Sequence, residues 1–187
     1  MIEVRKGRGA FVADAECDMP PLTEFVRWAT TNAVAVEELV EARVALEALA
    51  APLAAVRADP DQVAAIRVYH EAHLRAGEPL DVDALVYSDE GFHQAIMDAA
   101  GSQVVGRMYE FLIGELQAYR RQTLSLPWAP ARSAKGHAAI LKAIEQRNPV
   151  RARRAMIDHL WIVSSEIHET VGETEAGLPL PPRAALG

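Results

Sequence analysis

A chain of 187 residues is long enough for one sizeable core. Half of it is hydrophobic and 24% is charged, a balance that excludes wholesale disorder. The formal net charge of −7 makes the bulk of its surface a poor partner for nucleic acid or anionic lipid. A single cysteine, Cys17, excludes an internal disulfide framework. No apolar run approaches the roughly 20 residues of a spanning helix, and the N-terminus lacks a signal-peptide pattern. The expectation is a cytoplasmic protein with no membrane partner. Few aromatics and abundant alanine favour helices over sheets.

Residues 1–13 carry β-type side chains around a basic, glycine-spaced turn, Arg5, Lys6, Gly7, Arg8 and Gly9, which reads as a short β-hairpin. Residues 14–20 form a polar linker. From 21 to 171 the pattern is helical almost without interruption, and the proline-rich stretch 172–187 has little to bury and is expected to be mobile. Within the helical block a first helix is expected over 21–32. A second, over 35–57, places Val36, Leu39, Val40, Leu46, Leu49 and Leu53 on one broad face. Asp59-Pro60 opens a third that ends near Gly77. Asp81 caps a fourth that stops at Gly101. A fifth covers 102–123, Pro127 and Pro130 separate it from a sixth over 131–147, and Asn148-Pro149 starts a seventh over 150–171. Connections this short make neighbours antiparallel. The expected fold class is all-α, an antiparallel bundle of roughly six to seven helices preceded by the hairpin.

The informative residues are polar ones at positions where the helical period predicts core. Leu85, Asp89, Phe92 and Ile96 follow one stripe with His93 beside it, and Asp89 and His93, four apart, share a helix face. His137 lies on a stripe with Ile140, Leu141 and Ile144, and His159 lies near Met156, Leu160 and Val163. Each of these two histidines is 11 positions from Asn148. In an antiparallel hairpin they therefore stand at one height, roughly 16 Å from the turn. One carboxylate and three imidazoles suit a divalent ion such as Zn²⁺, Ni²⁺ or Mn²⁺. A surface Asp89–His93 pair and core histidines are the alternative reading of the same residues. His70 and His73 sit three apart, but no other residue obviously meets them, and His168 reads as a solvent-facing or C-terminal capping residue.

Three segments carry a resemblance. SDEGFHQAIMDAAGS, SAKGHAAILKAIEQRNPVRARRAMIDHL and ELVEARVALEALAAPLAA resemble, in the same order, segments of the FCD domain of FadR-like GntR transcription regulators. The resemblance covers 21–171 and implies that Asp89, His93, His137 and His159 ligate a metal. It also implies that Arg43, in the Glu41-x-Arg43-x-x-x-Glu47 run, helps bind a small carboxylate metabolite beside that metal. The residues themselves also allow a plain Arg43–Glu47 helix pair. Arg120, Arg121 and Ser133, near helix ends that could line the same cavity, join Arg43 as effector-binding candidates.

VRKGRGAFVA resembles the closing wing of the winged helix-turn-helix head that precedes this domain. The wing residues Arg5, Lys6, Gly7, Arg8 and Gly9 would then approach DNA. The recognition helix expected upstream of the wing is absent from the sequence, so DNA is a partner only if that head is present. The resemblance thus implies a homodimeric, metal-dependent sensor of an organic acid that controls DNA binding, and not an enzyme. Two alternatives stand beside it: a metal-dependent hydrolase or lyase using a metal-bound water, and a head-less protein that dimerises with full-length relatives. The hydrolase reading lacks a carboxylate well placed as general base, because Glu90 points about 100° away from Asp89 around the helix.

Overall fold

A computed structural model describes Ile2–Arg5, Gly9–Val12 and the stretch from Val36 to Val171, with side-chain surroundings defined over most of 38–162. Strands β1 (Ile2–Arg5) and β2 (Gly9–Val12) pair antiparallel, with Arg5 opposite Gly9. Lys6, Gly7 and Arg8, the linker, the helix expected over 21–32 and the stretch 172–187 lie outside the described residues. Six helices follow among the described residues: α1 (Val36–Arg57), α2 (Pro60–Gly77), α3 (Val82–Ala100), α4 (Gln103–Leu124), α5 (Ala129–Glu145) and α6 (Pro149–Val171). Among the described residues no helix is long and apolar enough to cross a membrane.

Local chemistry explains where these helices begin and end. Asp59 accepts from the Gln62 backbone N–H while the Gln62 side chain accepts from the Asp59 N–H, a reciprocal capping box on α2. Asp81 accepts from the Ala84 N–H at the start of α3, and Asn148 accepts from the Arg151 N–H at the start of α6. Helix α3 stops at Gly101, whose φ of 62° is left-handed and suits glycine. Helix α5 begins earlier than the proline pattern suggests. Pro130 sits inside its first turn, where a missing N–H costs nothing.

Helix α1 is the axis of the bundle, packed against α3, α4, α5 and α6. A helix with neighbours on that many sides needs small residues where backbones approach, and Ala50, Ala51, Ala54 and Ala55 are fully buried. This corrects the expected leucine face. Leu39 and Val40 are buried, but Leu49 is 49% exposed, because the alanines occupy the inward side instead. Phe92, Ile96, Tyr109, Leu116, Ile140, Ile144 and Met156 complete the core, each almost completely shielded from solvent. Burying side chains of this size contributes about 1.5–3 kcal/mol each. Helix α2 covers α3 and α5, whereas α4 rests on α1 and α3 and touches α5 only slightly.

Candidate metal centre

Asp89 and His93 project from α3 one turn apart. The α5–α6 hairpin brings His137 and His159 level, with ring centres 4.8 Å apart. One ligand atom from each of the four residues lies within 4.8 Å of the others, and all four side chains are buried. Asp89 Oδ1 is 3.3 Å from His137 Nε2 and 3.9 Å from His93 Nε2. His93 Nε2 is 3.3 Å from His159 Nε2. Bonds of about 2.0–2.2 Å to one ion would set donors about 3–4.4 Å apart. Three imidazole nitrogens and one carboxylate oxygen at this spacing could therefore hold a divalent ion.

The partners behind these atoms favour that chemistry. His93 Nδ1 makes a short bond to Glu47 Oε2, and Glu47 Oε1 accepts from Arg43 Nε at 2.6 Å. With its proton on Nδ1, His93 presents the Nε2 lone pair to the cluster. Burial opposes the charge on Glu47, but Arg43 and His93 outweigh it and hold the carboxyl below the usual range. Asp89 Oδ2 accepts from Arg120 Nε at 2.9 Å, which leaves Oδ1 facing the histidines. Burial would raise the Asp89 carboxyl. The hydrogen bond with His137, together with the Arg120 guanidinium, keeps it well below its ordinary value. Burial pushes His137 down to about 3 despite Asp89, and burial with His137 and His93 nearby pushes His159 well below its usual value. Neutral imidazoles and an ionised carboxylate are the protonation states that metal ligation needs.

Arg43, Arg120 and Ser133 line a small cavity beside Asp89 and His159, together with Tyr119 and Thr123. Its volume is about 10 Å³, the scale of a single water molecule. Ser133 Oγ lies 3.4 Å from both Asp89 Oδ1 and His137 Nε2. Arg120 also reaches Tyr109 Oη at 3.0 Å. Arg43 Nη2 and Arg120 Nη1 are buried without an acceptor among the described residues. Arg121 does not join them: it is exposed and pairs with Asp83. Glu90 turns outward to accept from Gln117 Nε2 at 3.1 Å.

The sequence profile described as the FCD domain matches residues 38–161, most of the chain. The chain belongs to the FCD-domain family. It is 30% identical over 130 residues to the putative L-lactate dehydrogenase operon regulatory protein of Escherichia coli K12, a match covering 67% of this chain and 49% of that one. It is 27% identical over 189 residues to the Uxu operon regulator of Haemophilus influenzae, covering 90% and 63%. The chain therefore spans about half to two thirds of the length of these relatives. A solved GntR structure from Streptococcus agalactiae superposes with a TM-score of 0.66 at 22% identity, covering 88% of this chain and 74% of that one. E. coli McbR/YncC superposes with a TM-score of 0.61 at 16% identity, covering 90% and 77%. At these identities the structural likeness shows the fold alone. The named relatives are transcription regulators, not enzymes. The family match begins at residue 38 and lends no support to a winged-helix origin for the β1–β2 pair.

Three features of this FCD domain escaped sequence reasoning. Glu47 was visible only as a partner of Arg43, yet it also fixes His93 across 46 positions of chain. Its place on the buried stripe of α1 was the available signal. Tyr109 had no sequence signal at all. His73, which no other residue seemed to meet, is 1% exposed, and its ring centre lies 4.8 Å from that of His137.

Proposed function

We propose that this FCD protein is the effector-sensing part of a transcription regulator. In this reading Asp89, His93, His137 and His159 hold a divalent ion, Zn²⁺, Ni²⁺ or Mn²⁺. A small organic acid binds beside it, with its carboxylate received by Arg43, Arg120 and Ser133. The observation that carries the reading is the pair of unmatched donors, Arg43 Nη2 and Arg120 Nη1, at one cavity beside the cluster. Buried donors without an acceptor are costly, and a carboxylate oxygen is the acceptor best matched to guanidinium. The name of the E. coli relative, which refers to an L-lactate dehydrogenase operon, fits a small carboxylate as effector.

A cavity of about 10 Å³ does not admit an organic acid without widening. Widening is easiest where α4 and α5 barely touch, and Arg120 and Ser133 stand on those two helices. Binding therefore favours a conformation in which α4 has moved away from α5. A ligand shifts the equilibrium only by this difference in affinity. In a cytoplasmic homodimer carrying DNA-binding heads, that motion would change the spacing of the heads. The test is a melting experiment on the metal-replete chain with a panel of small carboxylates. At least one acid should raise the Tm, and alanine at each of the four ligand positions should abolish both metal retention and that response. Variants that keep the metal, together with a panel that leaves the Tm flat, refute the reading.

A further inference from the structure

Three buried imidazole nitrogens lack partners among the described residues, His137 Nδ1, His73 Nε2 and His70 Nδ1, and the first two are on the closest pair of rings. Both rings are almost completely shielded, at 0% and 1% exposure. Their centres are 4.8 Å apart and their planes are inclined by 59°. A ring nitrogen lies about 1.1 Å from its ring centre, and an N–H···N bond adds about 2.9 Å. A bonded pair of imidazoles thus spans about 5 Å, close to the 4.8 Å between these ring centres.

The proton inventory makes the pair complementary. Ser88 Oγ donates its one proton to the backbone, to Ala84 O at 2.7 Å or to Leu85 O at 3.1 Å. Toward His73 Nδ1, 3.3 Å away, that hydroxyl therefore acts as acceptor. His73 carries its proton on Nδ1, and its Nε2 is a bare acceptor. His137 turns Nε2 toward Asp89 Oδ1, so ligation through Nε2 leaves the proton on Nδ1, a donor in need of an acceptor. His70 is the other imidazole nearby, but its ring centre lies farther off, 6.3 Å from that of His137.

We propose that His73 is a positioning residue for the metal centre. It accepts the His137 Nδ1–H when Nε2 ligates the metal, and so fixes the orientation of that ring. The chain of contacts then runs from the backbone of α3 through Ser88, His73 and His137 to the cluster. This role rests on the metal-binding reading above.

Long-range ¹H–¹⁵N NMR of the imidazoles in the full chain, metal-free and Zn²⁺-loaded, reads the tautomer directly. Competition with a chelating dye reads Zn²⁺ affinity. In the Zn²⁺-loaded wild type His137 should carry its proton on Nδ1, with the downfield resonance of a hydrogen-bonded N–H. His73→Phe should shift that resonance upfield and weaken Zn²⁺ binding about 10–100-fold. His73→Gln, whose side-chain carbonyl can still accept, should restore the resonance and most of the affinity, and His70→Phe should change neither. A loaded wild type in which His137 binds Zn²⁺ through Nδ1 overturns the proposal. So does a loss of affinity in His73→Phe with the Nδ1–H resonance unchanged. If the wild type takes up no Zn²⁺, the metal-binding reading fails and the proposal with it, whereas Zn²⁺ uptake that His73→Phe leaves unchanged refutes the role of His73 alone.

Discussion

Replacing Glu47 with alanine tests the largest electrostatic commitment in the bundle. Glu47 is fully buried and joins Arg43, itself 3% exposed, to His93. Its removal leaves the Arg43 guanidinium buried without its counter-charge and the His93 Nδ1 proton without an acceptor. Breaking a buried ion pair from one side costs about 3–5 kcal/mol, because the remaining charge keeps its desolvation penalty. For a domain of this size each kcal/mol moves Tm by about 2–4 °C, so Glu47→Ala should melt roughly 6–20 °C below the parent. The assay is thermal and urea denaturation of the metal-free chain, which separates folding from ligation. The double variant Arg43→Leu with Glu47→Leu removes both charges and should recover part of the loss. Recovery stays incomplete, because the unmatched His93 donor still costs about 1–3 kcal/mol. Zn²⁺ affinity of the double variant should fall about 10–100-fold, as His93 loses the partner that fixes its tautomer. A Glu47→Ala destabilisation under about 1 kcal/mol, or a double variant less stable than the single one, would refute this account of the pair.

Further outcomes follow from the same geometry. A β-carbon at Gly136 would stand 2.3 Å from His159 Nδ1 and 2.8 Å from its Cγ, so Gly136→Ala should displace a candidate metal ligand. Equilibrium dialysis should then show weaker metal retention, with a stability loss of about 1–3 kcal/mol from overpacking. Arg120→Met removes the partner of Asp89 Oδ2 and one cavity donor, and should abolish the response to carboxylates. Arg121→Ala, on an exposed pair with Asp83, should leave that response intact and change stability by no more than about 0.5 kcal/mol. Acid should weaken the metal-free fold. His137 and His159 have depressed pKa values in the folded chain, so below the ordinary histidine value of about 6.5 the unfolded chain binds the extra protons. Stability should fall as pH drops from 7 to 5 in urea melts, and His137→Phe should flatten that slope.

The sequence by itself determined the features that depend on neighbours along the chain. Capping residues Asp59, Asp81 and Asn148 and the left-handed Gly101 mark helix ends, because their hydrogen bonds close within a few residues. The four candidate ligands were legible for a related reason. Asp89 and His93 share a face through helical period, and His137 and His159 are levelled by the symmetry of a hairpin about Asn148. Tertiary structure decided what those periods leave free, the rotation of each helix about its axis and the helix it meets. Four neighbours around α1 turned its alanines inward and Leu49 outward, and the same rotation carried Arg43 and Glu47 to the back of His93. Adjacent arginines on α4 parted, Arg120 to Asp89 in the interior and Arg121 to Asp83 at the surface, since neighbours on a helix point about 100° apart. His73 met His137 only because α2 covers both α3 and α5. Local hydrogen bonds are encoded over a few residues, whereas the outer partners of the candidate metal centre arise from packing between helices distant in sequence.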